Sequence, residues 1–299
     1  MNLNHLGVFH AVAQAGSITR AANRLMISQP AISKQLGELE RNLGVRLFDR
    51  MPRGVRATDA GVILAEYAGR LFALADDAEH AMGEVRGLKR GRLRVGASTT
   101  IGVYLLPELF VRFRQAHPGV QLSLDIAGSD TLAARLVDGT IDVALTEGTI
   151  HSEAMESMPF MEDRLVAIAP PGHALTRKRR ITCEMLCREP FVVRETGSGT
   201  QSLVERTLAQ RGLHLKPAMS LGSTEAIKRA VASGVGVAIV SSLSVDLEVQ
   251  ARRLAVLKVA DLNIRRPLNR VVDRHACQSQ SVRAFIAMLG NAIVNLSRQ

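Results

Sequence analysis

The stretch SITRAANRLMISQPAISKQLGELERNLG, residues 17–44 of this 299-residue chain, carries start and stop signals that leave little choice of structure. Ser17 precedes Ile18, Ala21, Ala22 and Leu25, which share one face of a helix, and its hydroxyl suits the capping position. Ser28 caps a second helix almost at once. Pro30 falls in the first turn, where a missing N–H is harmless; Ile32, Leu36, Leu39 and Leu43 form the buried stripe, and Gly44 ends the helix. With Ile32 and Leu36 facing inward, Gln29, Ser33 and Lys34 project from the other side near the helix start. Two helices joined by a tight turn, the second with a polar outward end, make a helix-turn-helix suited to the DNA major groove.

The next segment, VRLFDRMPRGVRAT, reads as two brief strands around a Pro/Gly turn: a wing whose arginines, Arg50, Arg53 and Arg56, can lie along phosphates or reach the minor groove. The plainer alternative is a helical hairpin with a solvated basic rim. A net charge of +10 agrees with a polyanionic partner. Aromatic residues are only 3% and there is no Trp, so stacking platforms for single strands are scarce and double-stranded DNA is the better candidate.

These residues closely resemble the N-terminal domain of LysR-type transcriptional regulators, in the first-helix pattern HLGVFHAVAQAGSITRAA and in L-x-x-SQPAIS-x-Q-x-x-x-LE-x-x-LG-x-x-LFDR. The resemblance extends more loosely over the whole chain. It implies that Gln29, Pro30, Ser33 and Lys34 touch DNA from the recognition helix and Arg53 from the wing. Ser17, Thr19, Ser28 and Arg50 complete the candidate DNA-binding set. It also implies a winged helix-turn-helix domain over residues 1–58, a linker and dimerisation helix over 59–88, and an effector domain over 89–299. That last domain is expected to be α/β, with two Rossmann-like lobes resembling periplasmic solute-binding proteins.

The linker carries a pattern of its own. Ala60, Leu64, Tyr67, Leu71, Leu74, Ala78, Ala81 and Val85 alternate steps of four and three, a heptad seam, and GLKRGR, residues 87–92, breaks the helix as a hinge. Pairing of two such helices, favoured by the resemblance, gives a homodimer whose recognition helices stand roughly 34 Å apart on a near-palindromic site. The plain alternative is a helix packed on its own domain. A homotetramer and contact with RNA polymerase extend the list of partners.

From Leu93 strands and helices alternate: LRVGAS, IGVYLLPELFVRFRQAHPG, VQLSLDIAG, SDTLAARLVDG and IDVALTEG, resuming after Asp163 with LVAIAPPGH and PFVVRE and ending in a helix over 278–296. The alternation calls for parallel sheets with helical crossovers, in two α/β lobes of similar size around a cleft. Ligands of such sheets bind beyond the strand C-termini, where loops enter helices. Those places hold Ser98, Thr99 and Thr100; Gly128 and Ser129; Thr146, Glu147 and Gly148; Gly197, Ser198, Gly199 and Thr200; and Ser223 and Thr224. Hydroxyls and bare N–H groups at converging helix starts suit a small anion, although each Ser or Thr alone is also an ordinary cap. Within the family, STTIGVYLLPEL, RETGSGTQ and LGSTEAIKRAVASGVGVAIVS are most similar to the branch holding the CysL and CbbR regulators. That branch answers to anionic metabolites and often has Pro where Thr196 stands.

Other chemistries find no support. GSGT at 197–200 lacks a P-loop lysine, and VASGVG at 231–236 has Val231 where a nucleophile elbow needs Gly. The eight histidines show no metal-ligand spacing, so neither a metal nor a cofactor is expected, and nothing marks an enzyme. Cys183 and Cys187 share a helical turn, as a buried pair or, alternatively, a thiol redox sensor in place of a small-molecule effector; Cys277 has no partner in sequence. Three cysteines, no apolar run of roughly 18 residues, and His5, His10 and Arg20 in place of a signal core lead us to expect a cytoplasmic protein with no membrane partner.

Overall fold

The computed structural model describes residues 1–51, 54–85, 91–148, 150, 152–276 and 278–296. At the N-terminus α1 (Leu3–Ala15), α2 (Ile18–Leu25) and α3 (Gln29–Leu43) precede an antiparallel hairpin of β1 (Phe48–Met51) and β2 (Gly54–Ala57). The caps fall where the hydroxyls stand: Ser17 Oγ accepts from the Arg20 N–H at 3.4 Å and Ser28 Oγ from the Ala31 N–H at 3.3 Å. Gly44 closes α3 at φ 71°, a left-handed conformation that suits glycine. Ile32, Leu36 and Leu39 are buried with Leu6, Phe9 and Val12 of α1. Leu25 and Leu43, expected in the apolar stripes, are 36% and 39% exposed, because each sits in the last turn of a helix running off this small core. The wing is tied to the helices by the Val55 N–H on the Gly16 carbonyl, and by the Glu40 carboxylate accepting from the Leu47 and Phe48 N–H groups.

A 27-residue helix, α4 (Asp59–Val85), follows. Its heptad seam is divided. Ala60, Leu64 and Leu71 pack with Ala68 and Phe72 onto the core of the N-terminal domain, whereas Tyr67 and Leu74 are 64% and 57% exposed, alongside Val62, Ile63 and Met82. The plainer alternative therefore holds for the inner residues, and an apolar strip is left outward. Residues 87–90 of the expected hinge lie outside the described residues.

The remainder forms two lobes. The first contains β3 (Gly91–Ala97), a π-helical turn (Ile101–Leu105) running into α5 (Leu106–Ala116), β4 (Val120–Ile126), α6 (Ser129–Val137) and β5 (Val143–Glu147). The second contains α7 (Cys183–Cys187), β7 (Pro190–Arg194), α8 (Gly199–Ala209), β8 (Lys216–Leu221), α9 (Thr224–Ala232), β9 (Ala238–Ser241), α10 (Asp246–Gln250) and β10 (Ala255–Leu257). Two long strands, β6 (Met155–Ala169) and β11 (Ile264–Asp273), run antiparallel through both, and α11 (Gln280–Leu296) returns to the first lobe. Phe160, Leu268 and Val272 belong to the first lobe's core; Leu165, Ala167 and Ile264 belong to the second's.

The expectation of parallel sheets is corrected by these strands. The main sheet has the order β10-β6-β11-β5-β3-β4, with β9 also on β6; β3 pairs in parallel with β4 and β5, but β11 runs antiparallel to both β5 and β6. Strand β11, the first half of β6 and the short β10 were not expected. Pro267, Arg265, Arg266 and Arg270 disguise β11, since proline and unpaired charge argue against a buried strand. The register shifts between Leu268 and Asn269, a bulge opposite Phe160 that lies where the strands have entered the first lobe's core.

Candidate effector cleft and nucleic-acid interface

Where the lobes meet, several of the expected cleft residues converge on one carboxylate. Glu147, the last residue of β5, receives the Ser98 hydroxyl and the Thr100 N–H on Oε1, each at 3.1 Å. Its Oε2 receives Arg266 Nη1 at 2.6 Å and the Thr200 hydroxyl at 3.4 Å. Arg266 Nη1 also donates to Thr200 Oγ1 at 2.8 Å. Ser98 and Thr100 enter the π-helical turn of the first lobe and Thr200 lies in the first turn of α8 in the second, so the carboxylate bridges two helix starts. Orphan N–H groups and helix dipoles favour negative charge at such places.

Arg266 is 6% exposed and shared: its Nε also donates to Asp163 Oδ2 at 2.8 Å, and Ser241 donates to Asp163 Oδ1 at 2.7 Å. Burial raises the Asp163 pKa above its ordinary value, while the adjoining guanidinium and the Ser241 hydroxyl pull it down. A second bridge lies one turn along. Tyr104 of the π-helical turn donates to Glu225 of α9 at 2.6 Å, and Lys228 Nζ stands 4.9 Å from the Tyr104 ring while contacting Glu225, Glu248 and the Ser244 carbonyl. Burial, followed by the Glu225 bond, raises the phenol's pKa.

The other expected cleft residues are placed differently. Thr99 is exposed beside the convergence, and Thr146, fully buried, donates to the Gly148 carbonyl. Ser198 and Ser223 act as caps, accepting from the Gln201 and Ala226 N–H groups, while Gly197 has φ 93° and Gly199 begins α8. Thr224 accepts from Arg194 Nη1 at 3.3 Å. Gly128 caps α6 without a side chain, and Ser129 borders a separate shallow concavity with Ala133, Val137, Ile150 and Met155. Arg266, Asp163, Tyr104 and Glu225 were missed; Tyr104, one of two tyrosines and directly before the apolar pair at 105–106, carried the only available signal.

The thiols sit elsewhere. Cys183 and Cys187 are buried in the second lobe's core, and burial, then Asp261, pushes the Cys183 thiol up to about 11. Cys187 is raised too, again mainly by burial. A reactive thiol needs the opposite environment. Cys277 lies outside the described residues. No group of three or more His, Cys, Asp or Glu able to hold a metal occurs among the described residues, and no described helix is long and apolar enough to cross a membrane.

At the N-terminal domain Thr19, Ser28, Gln29, Pro30, Ser33 and Lys34 are all exposed around the start of α3, and Ser17 is half-buried. Met26, in the turn between α2 and α3, is 91% exposed at φ 55°. Pro52 and Arg53 lie outside the described residues, as does the side chain of Arg50.

A winged helix-turn-helix, a long helix and a two-lobed domain with polar groups at the lobe junction define the class. Residues 3–62 match the bacterial regulatory helix-turn-helix protein model of the lysR family, and residues 86–293 match the LysR substrate binding domain; the chain belongs to the LysR family. It is 36% identical over 285 residues to the RuBisCO operon transcriptional regulator of Allochromatium vinosum, covering 95% of this chain and 94% of that one. The Synechocystis PCC6803 CcmR regulatory domain, solved in complex with 2-PG, is 28% identical with a TM-score of 0.64, covering 69% of this chain and 99% of that one. A full-length OxyR variant from Pseudomonas aeruginosa has the same fold, at 24% identity and TM-score 0.77 over 98% of this chain and 94% of that one.

Proposed function

We propose that this LysR-family chain is a DNA-binding transcription regulator that binds a small acid between its lobes and converts that binding into a changed DNA complex. The observation that carries the acid-binding part is the Glu147 carboxylate itself. Four donors from both lobes and the strand between them, Ser98, Thr100, Thr200 and Arg266, converge on a carboxylate-sized group. The 2-PG complex of the CcmR regulatory domain supports the same ligand class. We assign residues 1–58 to DNA binding, 59–88 to the linker and 89–299 to effector binding; α4 begins at Asp59 and β3 at Gly91, which agrees with that division.

In this reading Gln29 and Ser33 address base edges while Lys34 and Arg53 address phosphates. The outward strip of Val62, Ile63, Tyr67 and Leu74 is the dimer contact, and a change of lobe angle alters the spacing of two recognition helices. The regulator acts in the cytoplasm and catalyses no reaction. A thiol input is disfavoured, since both described cysteines are buried with raised pKa values.

The test is footprinting on a RuBisCO operon promoter with and without 2-PG, chosen from the relatives. A footprint that changes in extent or bend with 2-PG is expected. Identical footprints despite measured 2-PG binding contradict the coupling.

A further inference from the structure

The convergence on Glu147 raises a question of charge. Three ionisable groups meet at the lobe junction, Glu147, Arg266 and Asp163, and two of them are acids sharing a single guanidinium. A free acid approaching Ser98, Thr100 and Thr200 meets donors already satisfied, and meets a carboxylate in the place it needs. We propose that Glu147 is an internal ligand: its carboxylate occupies the anion site and holds the lobes in the observed arrangement, and an acidic effector acts by displacing it. This rests on the effector-cleft reading above and adds the competitor that sets its affinity.

Three observations carry it. Glu147 is largely buried, with only 13% of its side chain exposed, so its charge depends on these donors rather than on water. Its partners come from both lobes, in that Oε1 is held by the first-lobe turn and Oε2 by Thr200 of the second, so moving the carboxylate cuts a direct tie between lobes. Its backbone is placed for release: it ends β5 and is followed by Gly148 at φ 113°, where the chain leaves the sheet. Displacement exchanges one carboxylate for another on the same donors, leaving the Tyr104–Glu225 bond as the remaining described side-chain hydrogen bond between the π-helical turn and α9.

Removing the internal carboxylate should create a site that a free one can fill. The experiment is thermal unfolding of full-length wild type, Glu147→Gln and Glu147→Ala in sodium acetate or formate, against sodium chloride at equal ionic strength. Glu147→Ala should gain a rise in Tm of about 3–6 °C once acetate reaches roughly ten times its Kd, growing further with the logarithm of the acetate concentration. Wild type and Glu147→Gln, whose sites remain filled, should show no rise beyond the chloride control. An alanine variant that responds no more than wild type overturns the proposal, as does a wild type that responds equally. If Glu147→Ala does not fold, the same titration on Glu147→Ser decides. The two readings fail separately. Binding of 2-PG to wild type with no acetate response in the alanine variant removes the internal ligand and leaves the effector cleft. An acetate response in the variant with no small acid binding to wild type retains Glu147 as internal ligand and removes the effector.

Discussion

Replacing Arg266 by Met keeps the aliphatic stem and removes the charge that two acids share. Asp163 is 1% exposed and Arg266 6%, so neither is compensated by water. Breaking a buried, hydrogen-bonded pair by deleting one partner costs about 3–5 kcal/mol, chiefly because the remaining charge stays buried. For a folding unit of about 150–250 residues each kcal/mol moves Tm by about 2–4 °C, so a loss of about 6–20 °C at pH 7 is expected. The pH dependence has a definite sign. Burial already holds the Asp163 pKa above its ordinary value, and loss of Arg266 removes the main opposing influence. A carboxyl whose folded pKa exceeds its unfolded one binds more protons when folded; its contribution to stability is fully present below the unfolded pKa and is lost as pH rises through the folded one. The deficit of the variant therefore shrinks on acidification. Differential scanning fluorimetry of both proteins from pH 7 to about pH 5 reads this directly; the gap should narrow on acidification, by up to about 1.4 kcal/mol for each further unit by which the variant raises the pKa. A deficit under about 1 kcal/mol at pH 7, or one unchanged at pH 5, refutes the reasoning.

Further perturbations separate the parts. A Cβ at Gly61 would stand 2.1 Å from the Leu47 carbonyl oxygen, so Gly61→Ala should lower the unfolding temperature of the N-terminal domain and weaken DNA binding while leaving 2-PG binding unchanged. Tyr67→Glu, on the exposed strip of α4, should shift the protein to monomer in sedimentation velocity, and an unchanged oligomer would place the contact elsewhere. Gln29→Ala should reduce discrimination between operator and random duplex, whereas Lys34→Ala should weaken both alike and flatten the salt dependence of binding by about one unit of slope. With its thiol pushed up to about 11 and buried, Cys183 should react with iodoacetamide much more slowly at pH 8 than free cysteine does; fast labelling in the folded state would reopen the redox reading.

What the sequence disclosed and what it withheld divide along the range of the forces involved. Ser17, Ser28, Pro30 and Gly44 act within a turn of their own positions, and the helices begin and end where those residues stand. Ser98, Thr100 and Thr200 were legible for the same reason, since small hydroxylated residues at strand ends announce helix starts. Arg266 was not. Its partners Asp163 and Glu147 lie 103 and 119 residues away, and an arginine beside a proline reads locally as surface rather than as the centre of a buried network. The same long-range pairing hid β11 and the first half of β6, whose charged residues find partners only when the strands lie side by side. On α4 the seam was visible as a pattern, but which part of it faces the chain's own domain depends on where Leu64, Ala68 and Leu71 find their core.

The measurement that bears most directly on the account is a calorimetric titration of 2-PG into the full-length protein, beside Thr200→Val. Saturable binding to wild type, at least tenfold weaker in the variant, is the predicted result. Equal affinity in both proteins would place the ligand away from the carboxylate-binding donors at the lobe junction and contradict the account.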